Sequence, residues 1–286
     1  MPEKPAYAYD DIPIGYYDTI LHTGSPIRRL WHLSKFERVI DSFRPGQNGS
    51  ILDIGCCAGS FLSLVPEGRF AKQVGVDIVA KNIPYATEHY GTHFRKFIHI
   101  ESVNQLANFT EQFDCVTLIE VIEHLRPDEI CGVLEQAAAL LKPGGRLLMT
   151  TPNYASTWPV LERILEATSD VTYEEQHITR FTHFNFESRL QEIYPPFAKL
   201  FNVEFKCTTH FISPFLAGIS FRLARGLSRF VPHRRWHHPF GNLVLISLER
   251  TEFVVASTGK TPAPKAPNGA AAKSRPRSSS AGTLAN

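Results

Sequence analysis

The sequence has few of the residues that mark disulfide scaffolds or zinc fingers. Its 286 residues include five cysteines, none of which forms a C-x-x-C pair or a zinc-type spacing. An odd and scattered set argues against an extracellular disulfide framework and against a structural zinc site. The reducing cytosol is therefore the default compartment.

Long hydrophobic runs are also missing. The longest nearly apolar run, 211–221, has 11 residues and contains Pro214, whereas a helix that crosses a bilayer needs about 20. The first residues show no basic segment followed by an apolar stretch, so we expect no signal peptide. These features favour a cytoplasmic protein, either free or at the inner face of a membrane.

Acidic residues are absent from two segments of a chain that has 30 Lys and Arg against 28 Asp and Glu. Segment 206–248 carries six basic residues and no acid, and 256–286 carries five and no acid. The second segment is rich in Ala, Pro, Ser and Gly, which predicts a disordered basic tail over 251–286. The rest of the chain is acidic, which disfavours nucleic-acid binding over the whole surface.

The main body of the chain alternates strand and helix patterns. Residues 27–43 show the apolar stripe of a helix, within a segment 1–48 that we interpret as an N-terminal helical extension or lid. Short apolar runs predict strands at 50–54, 72–76, 95–100, 113–119, 145–150, 200–212 and 240–250. Helical patterns lie between them at 80–90 and 127–141. This alternation predicts an α/β fold, a mostly parallel sheet with helices on both faces, over 49–250. Ligands of such sheets bind at the carboxyl ends of the strands.

The first strand runs into a turn of small residues, I-L-D-I-G-C-C-A-G-S-F over 51–61. A dinucleotide site needs G-x-G-x-x-G. Here Gly55 and Gly59 are four residues apart, and Cys57 stands at the middle glycine position, so the spacing disfavours a nicotinamide cofactor. The second strand ends V-G-V-D at Asp77, and a carboxylate there can accept both hydroxyls of an adenosine ribose.

Four motifs in order resemble the class I S-adenosylmethionine-dependent methyltransferases. They are D-I-G-C-C-A-G, V-G-V-D, F-D-C-V-T-L-I-E-V-I-E-H-L and L-L-K-P-G-G-R-L-L-M-T-T-P-N, within roughly 50–153. The resemblance implies a Rossmann-like seven-stranded sheet with a final antiparallel hairpin, and S-adenosylmethionine as cofactor. It implies that the cofactor is bound by Asp53, Gly55, Cys57 and Gly59 at its methionine end, Asp77 at the ribose, Glu101 and Ser102 near adenine, and Glu120.

A candidate metal group follows the fourth strand. Glu120, Glu123 and His124 would share one face of a helical turn starting at Glu120. Two carboxylates and an imidazole suit a divalent ion such as Mg²⁺ or Mn²⁺. The E-x-x-E-H pattern resembles ubiquinone-biosynthesis O-methyltransferases and small-RNA 2′-O-methyltransferases, in which it is understood to bind a divalent metal. In the RNA group a later histidine completes the site, and His177 matches it best, with His183 the second choice.

The same residues also suit a metal-free role. In that alternative, Glu123, His124 and His177 act as polar or general-base groups in catalysis. Methylation of an oxygen requires the acceptor to lose its proton, either to a general base or with the help of a metal. We therefore expect an O-methyltransferase acting on a hydroxyl of a lipid, quinone-like or glycan-like small molecule.

Other functions remain open at this point. One alternative is an RNA 2′-O-methyltransferase, and alternatives of different classes are a nicotinamide-dependent oxidoreductase and a non-catalytic cofactor-binding protein. The methyltransferase domain would carry a basic amphipathic insertion at about 213–238, in which Arg222, Arg225 and Arg229 share one helix face. A helix of this kind can lie on an anionic membrane, pack on the domain with its arginines in water, or hold nucleic acid. The sequence indicates no oligomeric state.

Overall fold

The computed structural model describes residues 12–46, 49–166, 177–230 and 238–252. The predicted basic tail from 253 onward, the first 11 residues of the N-terminal extension and residues 231–237 of the basic insertion lie outside the described residues. Predictions that fall on those segments stay predictions.

The described strands form one mixed sheet. They are β1 (Ser50–Ile54), β2 (Lys72–Asp77), β3 (Arg95–His99), β4 (Phe113–Ile119), β5 (Leu141–Pro152), β6 (Phe201–Thr209) and β7 (Leu243–Arg250). Their order is β3-β2-β1-β4-β5-β7-β6. Strands β1 to β5 pair in parallel, and β7 runs antiparallel to both β5 and β6. This confirms the predicted Rossmann-like α/β sheet with an antiparallel end.

The described helices cover both faces of that sheet. They are α1 (Tyr16–Thr23), α2 (Pro26–Asp41), α3 (Ser60–Leu64), α4 (Asn82–Tyr90), α5 (Pro127–Leu140), α6 (Trp158–Glu166), α7 (Phe186–Ile193), α8 (Phe197–Leu200), α9 (Ser213–Ala217) and α10 (Phe221–Phe230). Short 3₁₀ turns lie at Val103–Asn108 and Ile122–His124. The three helices expected at 27–43, 80–90 and 127–141 are confirmed, with bounds that differ by at most two residues. Within the described ranges, no helix has the length and apolar character that a membrane span requires.

Alternation along the strands divides the core between the two faces. In β1, Leu52 and Ile54 pack with residues of α5 and α7, whereas Ile51 packs with residues of α2, α3 and α4. Neighbouring side chains of a strand point to opposite faces, so a fully apolar strand needs a helical layer on each side. All three side chains are at most 4% exposed.

Strand β5 begins earlier than the sequence predicts. The sequence predicts that this strand starts at residue 145, but β5 starts at Leu141 and includes the K-P-G-G segment at 142–145. Phe113 pairs with Leu141 and Cys115 with Arg146, so the extra residues form a bulge against β4. Gly144 has a φ of 72°, a conformation that glycine adopts without strain, and this lets the strand continue past the irregularity.

Candidate active site

The turn between β1 and α3 is built on left-handed backbone. Gly55 and Gly59 have φ values of 80° and 81°. A Cβ on Gly55 would lie 2.6 Å from Cγ2 of Val121, and one on Gly59 would lie 2.7 Å from the ring of Phe97. Cys57, a non-glycine residue, also has a positive φ, 48°. The turn therefore requires glycine at two positions for both conformation and space.

Asp77 ties the end of β2 to this turn. One of its carboxylate oxygens accepts a hydrogen bond from the backbone N of Cys57 at 2.7 Å, and the other accepts one from Val79 at 2.8 Å. Burial raises the pKa of Asp77, and these backbone donors oppose that rise. The structure thus places Asp77 next to the predicted methionine-end residues, and its contact to a ribose stays a prediction.

Asp53 lies at the end of β1 in a more apolar setting. Its side chain is buried and accepts a hydrogen bond of 2.6 Å from the hydroxyl of Thr117. Burial raises the pKa of Asp53 to about 7, and the charge of Asp77 adds to the rise. A cationic ligand group next to this carboxyl would favour its ionised form.

Glu101 and Ser102 follow β3 and are exposed. Glu101 accepts a hydrogen bond from the side-chain amide of Gln105 at 3.1 Å, and its own backbone N donates to the same side chain at 3.0 Å. These bonds lie within one loop. A role of Glu101 and Ser102 near adenine therefore stays a prediction.

Glu120 differs from the sequence prediction. Its φ is 52°, and the 3₁₀ turn begins only at Ile122, so the predicted helical turn starting at Glu120 is wrong. The left-handed residue directs its carboxylate to α2, where the indole N–H of Trp31 donates to it at 3.1 Å and Lys35 forms an ion pair with it. The sequence reasoning missed both partners. The spacing of four residues puts Trp31 and Lys35 on one helix face, but no sequence signal connects that face to Glu120.

The structure does bring together the other three members of the predicted metal group. One oxygen of Glu123 and one nitrogen each of His124 and His177 lie within 4.8 Å of one another. Glu120 is not part of this group, and neither is His183, whose backbone N donates to Asn153 at 3.0 Å. Ligand roles for Glu120 and for the three grouped residues stay predictions.

Glu123 is the most unusual residue of the group. It is fully buried, and among the described residues neither of its carboxylate oxygens has a hydrogen-bond partner. Burial raises the pKa of Glu123 well above its usual value, and repulsion from Glu120 raises it further. A buried carboxylate of this kind is costly unless it takes up a proton or faces a cation. An orphaned oxygen beside two imidazoles fits a divalent cation.

Backbone pairing explains why His177 reaches this group. The N–H groups of Ile178 and Thr179 both donate to the carbonyl oxygen of Glu123, at 2.8 and 3.0 Å. The hydroxyl of Thr179 also donates to the carbonyl of Leu125 at 2.7 Å. The segment that starts at His177 is thereby fastened to the 3₁₀ turn that carries Glu123 and His124.

Helix α1 is attached beside the glycine turn. The carboxylate of Asp18 accepts hydrogen bonds from the hydroxyls of Ser60 (2.6 Å), Tyr90 (2.7 Å) and Tyr85 (3.0 Å). Ser60 is the first residue of α3 and directly follows Gly59. Three donors on one buried carboxylate hold α1 against the glycine turn, and a lid role for the N-terminal extension stays a prediction.

Comparison with known proteins places this arrangement in a family. A family model described as "Methyltransferase domain" matches residues 30–193, which is more than half of the chain. The ubiquinone biosynthesis O-methyltransferase of Paracidovorax citrulli is 33% identical over 137 residues, covering 46% of this chain and 52% of that protein. The corresponding protein of Bradyrhizobium sp. is 34% identical over 138 residues, covering 46% and 53%. The chain spans about half the length of the curated relatives it matches.

Solved structures show the same fold at lower identity. The magnesium protoporphyrin IX methyltransferase from Synechocystis PCC 6803, with bound SAH, has a TM-score of 0.54 and 17% identity. The match covers 82% of this chain and 93% of that one. At 17% identity this structural similarity is evidence for a shared fold only.

Proposed function

This chain belongs to the methyltransferase-domain family, and from that membership we propose that it transfers a methyl group from S-adenosylmethionine to a hydroxyl oxygen of a lipid, quinone-like or glycan-like small molecule. The observation that carries the oxygen acceptor is the group of Glu123, His124 and His177, in which Glu123 and His177 are buried and His124 is half-buried. Methyl transfer from a sulfonium needs little activation of the donor, so the protein mainly aligns the reactants and removes the proton of the acceptor.

The proposal for the cofactor end depends on the glycine turn and on two acidic residues beside it, Asp53 and Asp77. S-Adenosylmethionine carries an ammonium and a sulfonium group, and Asp53 supplies a buried carboxyl whose charged form such cations favour. Asp77 stands at the end of the neighbouring strand, where an adenosine ribose is expected. A nicotinamide cofactor suits this turn less, because Cys57 stands at the middle position of the dinucleotide fingerprint.

The proposal for the acceptor end depends on the buried carboxylate of Glu123, which has no hydrogen-bond partner among the described residues. Glu123, His124 and His177 together offer one oxygen and two nitrogens, which suit a divalent cation such as Mg²⁺ or Mn²⁺. Such an ion, when bound, lowers the pKa of a hydroxyl that contacts it. The alternative is a metal-free site in which an unprotonated imidazole accepts the proton of the hydroxyl. Activity that persists in excess chelator would select that alternative.

Helices α9 and α10 support a membrane surface as the place where the acceptor is met. Apolar side chains of this segment are exposed to solvent, and Ile219 is 84% and Leu223 63% exposed. Arg222 and Arg229 are exposed as well, whereas Arg225 pairs with Glu37 of α2 at 2.6 Å. An exposed apolar row flanked by arginines, in a segment without acids, fits the interface of an anionic membrane at the inner face.

Fractionation of the labelled product tests the acceptor class. The full chain would be incubated with S-adenosylmethionine labelled in its methyl group and with a cell extract that contains membranes. We expect label in the organic fraction, attached as a methyl ether. Label in RNA would replace this proposal by 2′-O-methylation of RNA, and a product methylated on carbon or nitrogen would refute it. Binding of NADH in place of S-adenosylhomocysteine would favour an oxidoreductase.

A further inference from the structure

His177 is held by two side chains that the proposed function does not use. Its Nδ1 lies 2.8 Å from a carboxylate oxygen of Glu162 and 2.7 Å from the hydroxyl of Tyr154. The Tyr154 hydroxyl in turn donates to the same oxygen of Glu162 at 3.2 Å. The side chains of His177 and Glu162 are only 4% and 6% exposed, so water competes little for these bonds.

The chemistry of hydrogen bonds assigns the protons within the triad of His177, Glu162 and Tyr154. An ionised carboxylate can only accept, so the bond to Glu162 requires a proton on Nδ1 of His177. In the neutral imidazole the lone pair then resides on Nε2. Because Tyr154 donates to Glu162, its oxygen remains an acceptor for the same Nδ1–H, and the three groups form one consistent set of bonds.

Packing fixes the triad in place. Glu162 lies on α6, and Trp158 of the same helix is 2% exposed and packs on Trp31 of α2 with ring centroids 4.6 Å apart. Leu161, also buried, belongs to the same cluster. Tyr154 lies two residues after the end of β5, and its backbone N donates to the carbonyl of Phe181 at 3.0 Å. The carboxylate of Glu162 is therefore presented by a helix that packs on α2 through Trp158.

We propose that Glu162, assisted by Tyr154, is a positioning residue that holds His177 with its proton on Nδ1 and its Nε2 lone pair available to the group formed with Glu123 and His124. The inference rests on the proposed function only in taking this group as the place where the acceptor hydroxyl loses its proton. A carboxylate behind a histidine raises its basicity and fixes its ring orientation, and loss of such a partner typically weakens metal binding about 10- to 100-fold.

Nuclear magnetic resonance tests the tautomer without metal, cofactor or acceptor. Long-range ¹H–¹⁵N correlation spectra of the metal-free full chain would report which ring nitrogen of each histidine carries the proton, and a His177→Asn variant would identify the His177 signals. We expect the Nδ1–H form in the wild type and a shift towards the Nε2–H form in Glu162→Gln. The exposed Glu192→Gln change serves as a control and should leave the spectrum unaltered. A proton on Nε2 in the wild type, or an unchanged His177 signal in a folded Glu162→Gln variant, would overturn the inference.

A Mn²⁺ titration followed by electron paramagnetic resonance adds a second readout. We expect Glu162→Gln to weaken Mn²⁺ binding about 10- to 100-fold and Tyr154→Phe to weaken it less, while both bind S-adenosylhomocysteine as the wild type does. Glu162→Asp should recover part of the affinity, and it replaces Glu162→Gln if that variant does not fold. Equal Mn²⁺ affinity in all variants would contradict the inference and leave the proposed function standing. A wild type that binds no Mn²⁺ would remove the metal from the proposed function, and the tautomer spectra would still decide the role of Glu162.

Discussion

Two buried carboxyl groups, Asp53 and Glu123, stand at the carboxyl edge of the sheet in different electrostatic settings. Asp53 has one hydroxyl donor, from Thr117, and a pKa raised to about 7 by burial. Neither carboxylate oxygen of Glu123 has a hydrogen-bond partner among the described residues. Burial and repulsion from Glu120 raise the pKa of Glu123 well above its usual value, whereas the nearby Thr151 hydroxyl lowers it. The ionised form of each would therefore be stabilised by a positively charged neighbour, which in the proposed function is the cofactor for Asp53 and a divalent metal for Glu123.

The raised pKa of Asp53 predicts a stability that falls with pH. Between pH 4 and pH 7 the folded state binds this proton and the unfolded state releases it, so the free energy of unfolding falls as pH rises through that window. A rise of this size corresponds to about 4 kcal/mol at most. Asp53→Asn cannot ionise and can still accept from Thr117, so we expect a smaller fall in that variant. Urea denaturation at pH 5 and pH 8 measures the difference.

The exposed Asp128→Asn change is the control for this measurement. It removes one carboxylate without touching the site and should keep the pH dependence of the wild type. An equally steep loss of stability in Asp53→Asn and in the wild type would show that Asp53 is ionised in the folded protein throughout.

At the scale of elements, α2 forms a wall of the site that motif reading did not anticipate. It contributes Trp31 and Lys35 to Glu120, and it carries Leu30, which packs on Ala217 of α9 and Ala224 of α10. The hydroxyls of Ser34 and Ser228 lie 3.1 Å apart, which adds a further contact between α2 and α10. The basic amphipathic segment is thus attached to the helix that also contacts Glu120.

From the exposed apolar and basic side chains of helices α9 and α10 we predict that the full chain binds anionic vesicles. The full chain should sediment with vesicles of phosphatidylcholine and phosphatidylserine and less with phosphatidylcholine alone. Because each basic residue near such a surface contributes about 1 kcal/mol, charge reversal in Arg222→Glu/Arg229→Glu should weaken binding more than about tenfold. Lys96→Glu, an exposed change on β3 at the far edge of the sheet, is the matched control. No binding by the wild type, or an equal loss in the control, would contradict a membrane surface.

At the scale of the whole molecule, the strands and the glycine turn were predictable because their causes are local. Buried parallel strands are continuous apolar runs, and the glycine turn must follow the first of them. Asp53 and Asp77 could be placed because the carboxyl ends of parallel strands meet at one edge.

The residues that escaped prediction depend on tertiary contacts. The left-handed backbone of Glu120 is stabilised by partners on α2, about 85 residues earlier in the chain. Glu162 and Tyr154 belong to no motif, and only the fold brings them to His177. One signal was present, since Glu162 directly follows the buried Leu161 of α6, and a buried acid on a helix usually has a partner. The backbone conformation of Glu120 and the side-chain partners of His177 are both determined by tertiary structure and not by local sequence.

The most direct measurement follows methyl transfer to the hydroxyl of a catechol, with and without divalent metal. Full-length protein, stripped with a chelator, would be given labelled S-adenosylmethionine and catechol. We expect an O-methyl product only after Mg²⁺ or Mn²⁺ is added, and a rate at least about 10²-fold lower in Glu123→Gln, while the exposed Glu67→Gln control keeps the wild-type rate. Full turnover in excess chelator together with an active Glu123→Gln variant would contradict the account.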